Sequence, residues 1–267
     1  MSPTSDGHYL DLPNASLVPT RTVLRTQKQL QSAINHQAML CIHGGVGLGK
    51  TLTVRTSLRD LAPDTTLFFQ FHRHCPLGEI QKAVATALGI PDGARGLTTR
   101  IREAITERPY VLVFDETQGL TTDALEWVRS LWDVDHNRPT VIFVGAEETR
   151  LHLRRRPALA SRVTKWPRFK PLHPTEVLEH MPKYHPVWSK ANEKDLLWLD
   201  DGACRGNFRD WAKLTGAIQE LLIERGKPLD DFTRDIAREA LETFDPSDLH
   251  LPPEQDDLHL PPEEDDE

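Results

Sequence analysis

Short apolar runs alternate with amphipathic stretches over the first two thirds of the chain. The runs lie at residues 39–42, 65–71, 110–116 and 140–144. Apolar residues without polar alternation are typical of strands that are covered on both faces. Between the runs, apolar residues recur at helical spacing. Helices are predicted over residues 22–36, 76–88 and 97–107. The pattern therefore predicts an α/β fold in which a parallel sheet lies between helices.

The last third of the chain shows helical periodicity without strands. One helix opens at the segment GNFR, residues 206–209, and ends at Gly226, a residue type that commonly terminates helices. A final helix is predicted over residues 230–244. We therefore expect an αβα domain over residues 20–172 and a small α-helical domain over residues 173–244.

Neither end of the chain has the pattern of a packed element. Residues 1–19 are rich in Ser, Pro, Asp and Asn, which predicts a mobile arm. Residues 245–267 carry the segment DLHLPPE twice, and their proline pairs and charge predict a disordered tail that either binds a partner or only aids solubility. This tail has ten Asp or Glu and no Lys or Arg. Without it the net charge of −8 becomes +2, so overall acidity does not exclude a nucleic-acid partner.

A glycine-rich segment follows the first apolar run. It matches the pattern G-x-x-x-x-G-K-[ST] and ends in Lys50 and Thr51. Glycines let the backbone turn so tightly that successive N–H groups point into one concavity, beside the positive end of the following helix. In such a phosphate-binding loop, Lys50 would reach the β- and γ-phosphates of ATP and the Thr51 hydroxyl would hold Mg²⁺. The predicted nucleotide contacts are Gly44, Gly45, Val46, Gly47, Leu48, Gly49, Lys50, Thr51 and Leu52.

An acidic pair ends the third apolar run. Asp115 and Glu116 close the segment YVLVFDE, about sixty residues after the loop. Because open α/β sheets bind ligands at the carboxyl ends of their strands, both carboxylates are expected beside the phosphates. Asp115 would position Mg²⁺ through water, and Glu116 would polarise the water that attacks the γ-phosphate. Together with the loop, this pair predicts an NTPase.

A basic stretch follows the fourth apolar run. Residues 150–170 contain eight Lys or Arg and no acid. Three interpretations stay open: a solvated face, an arginine donated into a neighbouring subunit's active site, or contacts with DNA phosphates. The basic residues are Arg150, Arg154, Arg155, Arg156, Arg162, Lys165, Arg168 and Lys170.

The cysteines, the lengths of the apolar runs and one His/Cys cluster indicate the cellular compartment and whether a metal is bound. Three scattered cysteines without a C-x-x-C pair indicate reduced thiols and a cytosolic protein. The sequence contains neither an apolar run of about 18 residues nor a secretory signal, so we expect no membrane span and a cytoplasmic location. The cluster at residues 72–75, HRHC, has no second ligand pair at usable spacing, and we interpret it as a polar strand end rather than a zinc site.

The order of these motifs resembles that of AAA+ ATPases. The match rests on GGVGLGKT, on VLVFDE followed by TQGL, on PALASRV and on GNFR, and it covers roughly residues 20–244. More narrowly, the chain is similar to the DNA-transposition regulators of the MuB, TnsC and TniB type in its small size, its DETQ segment and a minimal helical lid. The resemblance implies an AAA+ P-loop fold, a lid over residues 173–244, and ATP and Mg²⁺ as cofactors.

The resemblance also implies roles for two arginines. Arg162, in the segment ASR, corresponds to the arginine finger that completes a neighbouring subunit's ATP site, and Arg209 corresponds to the lid arginine that senses the γ-phosphate. A finger that acts in trans implies a ring or helical filament. The chain departs from most relatives at the end of the fourth strand, where Gly145 and Ala146 stand in place of a polar residue that orients the attacking water. This departure implies slow hydrolysis or sensing by another group.

Transposition regulators of this type wrap duplex DNA with little sequence preference and recruit or stimulate a transposase. The resemblance thus implies a DNA- or partner-stimulated ATPase that selects target sites, with duplex DNA, a transposase and a target-selection protein as partners. A loader or remodeller of a helicase or other protein, and an ATP-driven signalling switch, stay open as alternatives. The candidate phosphate contacts, each of which also fits an ordinary surface position, are Arg95, Arg100, Thr121 and Thr122.

Overall fold

A computed structural model describes residues 12–71, 74–91, 93–134, 136–245 and 249. The chain divides into two compact units. The sheet unit contains Thr22–Val46 and Lys50–Phe169. The helical unit contains Gly47–Gly49 and the described parts of Met1–Arg21 and Lys170–Glu267.

The first part of the chain alternates strands with helices. The strands are β1 (Met39–Gly44), β2 (Thr66–Gln70), β3 (Val111–Asp115), β4 (Thr140–Val144), β5 (Val163–Lys165) and β6 (Arg168–Phe169). The helices are α1 (Arg21–Asn35), α2 (Lys50–Leu61), α3 (Leu77–Ala87), α4 (Leu97–Thr106), α5 (Thr122–Trp132), α6 (Glu147–Arg154) and α7 (Pro157–Ala160). A 3₁₀ turn at Thr117–Gly119 follows β3.

The strands form one sheet in which every pairing is parallel. Their order is β2-β3-β4-β1-β5, and β6 pairs with the end of β1. All residues of β1, β3 and β4 are buried, as is typical of parallel strands covered on both faces. The predicted parallel sheet between helices is confirmed. Because the strands run in one direction, their carboxyl ends meet at one edge, where the glycine-rich loop and the acidic pair begin.

Aromatic rings from three strands line up across one face of the sheet. Phe69 of β2 lies opposite Phe114 of β3, which lies opposite Phe143 of β4. The ring centroids are 5.5 Å apart in the first pair and 6.0 Å apart in the second. Stacked pairs of this kind contribute roughly 0.5–1.5 kcal/mol each beyond their buried area. They stabilise the register of the strand that carries Asp115.

The helical unit is built on a tryptophan-rich core. Its helices are α8 (Pro174–Tyr184), α9 (Glu193–Leu199), α10 (Phe208–Glu224) and α11 (Arg234–Leu241), with a π-helical turn at Asp200–Cys204. Trp188 and Trp211 meet edge to face at 5.1 Å. The buried Asp200 carboxylate accepts hydrogen bonds from the Trp211 indole (3.0 Å) and the Gly206 N–H (2.7 Å), which fixes the turn that precedes α10.

Several boundaries differ from those predicted. The arm expected over residues 1–19 packs on the helical unit from residue 12 onward, because the Ser16 N–H donates to the Tyr184 carbonyl at 2.8 Å and Val18 joins the core. The last helix, α11, is shorter than the predicted range 230–244. Helices α5, α6 and α7 and the short strands β5 and β6 were not predicted. Residues 1–11, His72, Arg73 and all of the tail after Asp245 except Leu249 lie outside the described residues, as do the predictions made for them.

Candidate nucleotide site

The glycine-rich loop leaves β1 at a position where a side chain does not fit. Gly44 has φ +141°, and a Cβ atom there would lie less than 3.0 Å from the carbonyl oxygen of Phe169. Phe169 is the register partner of Gly44 in β6. A residue without a side chain is therefore required where β1 turns into the loop.

Lys50 is the first residue of α2, and its side chain folds back over the loop. Its ammonium group donates to the carbonyl oxygens of Gly44 (3.0 Å) and Gly45, and the residue is buried. A helix N-terminus adds N–H donors and the positive end of the helix dipole, both of which favour phosphate. Loop, ammonium group and helix start thus form a site suited to a polyphosphate.

Thr51 and Asp115 meet although 64 residues separate them in sequence. The Thr51 hydroxyl donates to Asp115 Oδ2 at 2.9 Å, and Asp115 Oδ1 accepts from the Glu116 N–H at 3.0 Å. Asp115 is only 1% exposed, and burial raises the pKa of its carboxyl, while the two hydrogen bonds lower it. Ionising a buried carboxyl is costly without a nearby cation. Hydroxyl and carboxylate oxygens are ligands that Mg²⁺ prefers, so these residues fit the predicted ion.

Glu116 lies just beyond β3 and is exposed. Its backbone is left-handed, with φ 55° and ψ 41°, a conformation that is uncommon and costly for a residue with a side chain. Its carboxylate accepts a hydrogen bond from the Gln118 side-chain amide. The acidic pair is therefore split into one buried and one accessible carboxylate.

Gln118 is a site residue to which the sequence analysis assigned no role. Its Oε1 accepts from the Thr149 hydroxyl at 2.7 Å and from the Ala146 N–H at 3.3 Å. Those partners lie 31 and 28 residues away in sequence, so no local spacing links them. The sequence carries only an indirect indication of this role. No polar residue stands at Gly145 and Ala146, whereas Gln118 follows shortly after the acidic pair.

A buried histidine precedes the loop and was also missed. His43 Nδ1 lies 3.1 Å from Glu147 Oε2, and Arg168 Nε lies 3.5 Å from the same oxygen. Burial lowers the pKa of His43, while the hydrogen bond and charge of Glu147 raise it. The net shift is downward, so the neutral imidazole is favoured at the base of the loop.

Arg162 is paired within its own chain. Its guanidinium donates to the Asp133 carboxylate at 2.5 Å from Nε and 2.8 Å from Nη2, and also to the Ala158 carbonyl. The Arg162 side chain is 28% exposed. In this structure the predicted arginine finger therefore contacts the end of α5.

Arg209 lies at the start of α10, next to its cap. The Arg209 N–H is shared between the Asn207 side-chain oxygen (3.0 Å) and the Gly47 carbonyl (3.1 Å). Gly47 clusters with the helical unit, so both contacts lie within that unit. The backbone of the predicted γ-phosphate sensor is thus beside one of the predicted phosphate contacts.

The candidate DNA contacts have different surroundings. Arg95 and Arg100 are exposed. Thr121 caps the N-terminus of α5 with its side chain, and the Thr122 hydroxyl accepts from Arg156. Both threonines therefore have partners within the fold.

The basic stretch is partly structural. The guanidinium of Arg154 lies 4.5 Å from the centre of the Trp166 ring, and Lys165 donates to the Ser32 hydroxyl at 3.0 Å. Arg154 and Arg155 are both exposed. A purely solvated face does not describe this stretch.

The cysteines are buried free thiols. Burial raises the pKa of Cys41, Cys75 and Cys204, which disfavours the reactive thiolate. Over the described residues, no three His, Cys, Asp or Glu side chains are grouped to hold a metal ion. None of the helices in that part of the chain is long and apolar enough to cross a bilayer.

A family model and several solved structures are similar to this chain. Residues 33–153 match the family model described as an AAA domain. The structure is similar to that of Cdc6p from Pyrobaculum aerophilum, with a TM-score of 0.68 and 18% sequence identity, over 85% of this chain and 69% of that chain. The chain has the AAA+ P-loop fold.

Two further structures share the AAA+ fold. The Aeropyrum pernix ORC1 protein, solved in complex with DNA, gives a TM-score of 0.64 at 14% identity, over 88% of this chain and 67% of that chain. The Thermotoga maritima RuvB Holliday junction branch migration motor gives 0.58 at 18% identity, over 84% and 69%. No curated protein matches the sequence. The narrower resemblance to transposition regulators stays a prediction.

Proposed function

We propose that this protein is an ATPase that binds duplex DNA without sequence preference, assembles on it, selects target sites and recruits or activates a transposase. The hydrogen bond from Thr51 to Asp115 carries the ATPase part of this proposal. It joins the loop to the strand that ends beside Glu116. Groups suited to phosphate, Mg²⁺ and water are thereby brought to the same edge of the sheet.

Each site residue has a defined task in the proposed reaction. ATP would supply the phosphoryl group, and a Mg²⁺ ion, when bound, would supply positive charge beside the phosphates. The loop N–H groups and Lys50 would hold the phosphates, while Thr51 and Asp115 would hold the cation. The accessible Glu116 orients the attacking water and accepts its proton. We expect slow basal turnover that DNA or a partner stimulates.

Assembly in this proposal depends on two arginines. Arg209 would sense the γ-phosphate, and Arg162 would stabilise the transition state in a neighbouring subunit. The pairing of Arg162 with Asp133 does not prevent this role, because a partly exposed ion pair contributes only about 0–1 kcal/mol. Arg162 would exchange Asp133 for the phosphates of the neighbour in a ring or filament.

Charge and fold similarity support DNA as the partner. The chain without its acidic tail has a net charge of +2, and Arg95 and Arg100 are exposed. Nonspecific binding needs only Lys, Arg, Thr and backbone N–H groups that face phosphates. One protein of the same fold, ORC1, was solved with DNA. The transposase and the target-selection protein are proposed from the motif resemblance alone.

Binding to random-sequence duplex DNA tests this function. Fluorescence anisotropy would be recorded with ATP, with ADP and without nucleotide, at two salt concentrations, and the ATP sample would be imaged by negative stain. We expect binding with ATP only, and rings or filaments on the DNA. Binding should be weaker at high salt, because releasing counterions from the DNA into a more concentrated solution gains less free energy. Tight ATP binding without DNA binding would contradict the proposal and favour a loader, remodeller or signalling switch.

A further inference from the structure

We propose that Gln118 positions Glu116 for ATP hydrolysis, through space that a side chain at Gly145 would fill. The inference rests on the proposed ATPase function. Its basis is a continuous chain of hydrogen bonds from the accessible Glu116 carboxylate, through the Gln118 amide, to the Thr149 hydroxyl. Thr149 is fully buried in α6, so the far end of the chain is fixed.

The direction of the Gln118 amide is set by its backbone partner. A backbone N–H only donates, so the group that faces Ala146 N–H has to be the amide oxygen. The amide nitrogen then faces Glu116 and donates to its carboxylate. These two partners therefore set the orientation of the Gln118 amide.

A glycine makes room for this arrangement. A Cβ atom at Gly145 would lie less than 3.0 Å from both Gln118 Oε1 and Thr149 Oγ1. A polar side chain at that position would occupy the space that the Gln118 amide uses. The missing polar residue and the Gln118 bridge are thus two aspects of one arrangement.

The bridge limits the motion of an otherwise exposed carboxylate. Glu116 lies beyond the end of β3, where the sheet does not hold its side chain. A general base acts efficiently only when it is held in the productive geometry, and supporting hydrogen bonds supply that restraint. Gln118 is accordingly a positioning residue: it acts on the reaction through Glu116 and has no task in binding the phosphates.

Substitution of Gln118 separates turnover from binding. In Gln118→Ala we expect kcat for ATP to fall at least about tenfold, with the Kd for a fluorescent ATP analogue unchanged. Gln31→Ala, which removes an exposed glutamine from α1, is the matched control and should retain wild-type kcat. Turnover would be measured with and without duplex DNA, after thermal melting has shown that each variant is folded.

Variants of Thr149 test the anchor without touching Gln118. Thr149→Val removes the hydroxyl and should lower kcat, while Thr149→Ser keeps it and should restore most of the activity at unchanged nucleotide affinity. A kcat that is unchanged or raised in Gln118→Ala would overturn the positioning role, while the ATPase proposal would stand on wild-type turnover. If the wild-type protein binds ATP but hydrolyses none with or without DNA, both proposals fail.

Discussion

Asp115 and Glu116 are neighbours in sequence but lie in opposite environments. Asp115 is the last residue of a strand buried on both faces, and its oxygens already accept from Thr51 and from the Glu116 N–H. Glu116 turns away through a left-handed backbone and is exposed. One carboxylate is therefore suited to a fixed cation and the other to a water molecule. The strained backbone at Glu116 is what separates the two tasks.

His43 makes stability depend on pH at the base of the loop. The charged groups that face it are Glu147, Arg150 and Arg168, and burial lowers its pKa below the ordinary value. As pH falls through the ordinary histidine range, the unfolded chain gains a proton that folded His43 does not take up. The contribution of His43 to folding stability is therefore fully present at neutral pH. It is lost as the pH falls from the pKa of histidine in the unfolded chain to the lower pKa of His43 in the folded protein.

Urea denaturation at pH 7.5 and at pH 5.5 measures this effect. We expect the wild-type protein to lose more stability between the two pH values than His43→Asn does. His36→Asn, at an exposed position, serves as control and should behave like the wild-type protein. An equal pH dependence in His43→Asn and the wild-type protein would contradict the assignment.

At the scale of elements, apolar runs and helical spacing were sufficient to predict β1–β4 and the helices α1–α4, α10 and α11, whereas α5, α6 and α7 were not predicted. Long runs such as residues 111–115 have only one low-energy placement, in the centre of a covered sheet. β5 and β6 were missed because strands of three and two residues leave no periodic pattern. The arm from residue 12 was assigned as mobile because its order comes from tertiary contacts, such as that of Ser16 with Tyr184.

The candidate site likewise combines residues that local motifs predict with contacts that those motifs do not predict. The loop and the acidic pair are local motifs, so their residues could be predicted before their contacts were known. The contact of Gln118 with Thr149 joins the turn after β3 to α6, and only the adjacency of β3 and β4 brings them together. Likewise, the pairing of Arg162 with Asp133 depends on where α5 ends. Contacts between elements cannot be derived from motif spacing.

For the whole molecule, the proposed trans role of Arg162 predicts complementation between inactive variants. Glu116→Gln keeps the finger and binds ATP but hydrolyses it slowly, while Arg162→Ala keeps the site but lacks the finger. Mixed with DNA and ATP, they should regain ATPase activity well above the sum of each alone, because some interfaces join both intact parts. Full activity of Arg162→Ala alone, or no recovery on mixing, would exclude this role.

The central claim is that the loop and the acidic pair form one ATP-hydrolysing site. The most direct measurement is ATP·Mg²⁺ binding by calorimetry together with steady-state turnover, for wild type, Lys50→Ala and Glu116→Gln. We expect Lys50→Ala to lose ATP binding, and Glu116→Gln to bind ATP while its kcat falls at least about a hundredfold. Retained affinity in Lys50→Ala, or unchanged turnover in Glu116→Gln, would contradict the account.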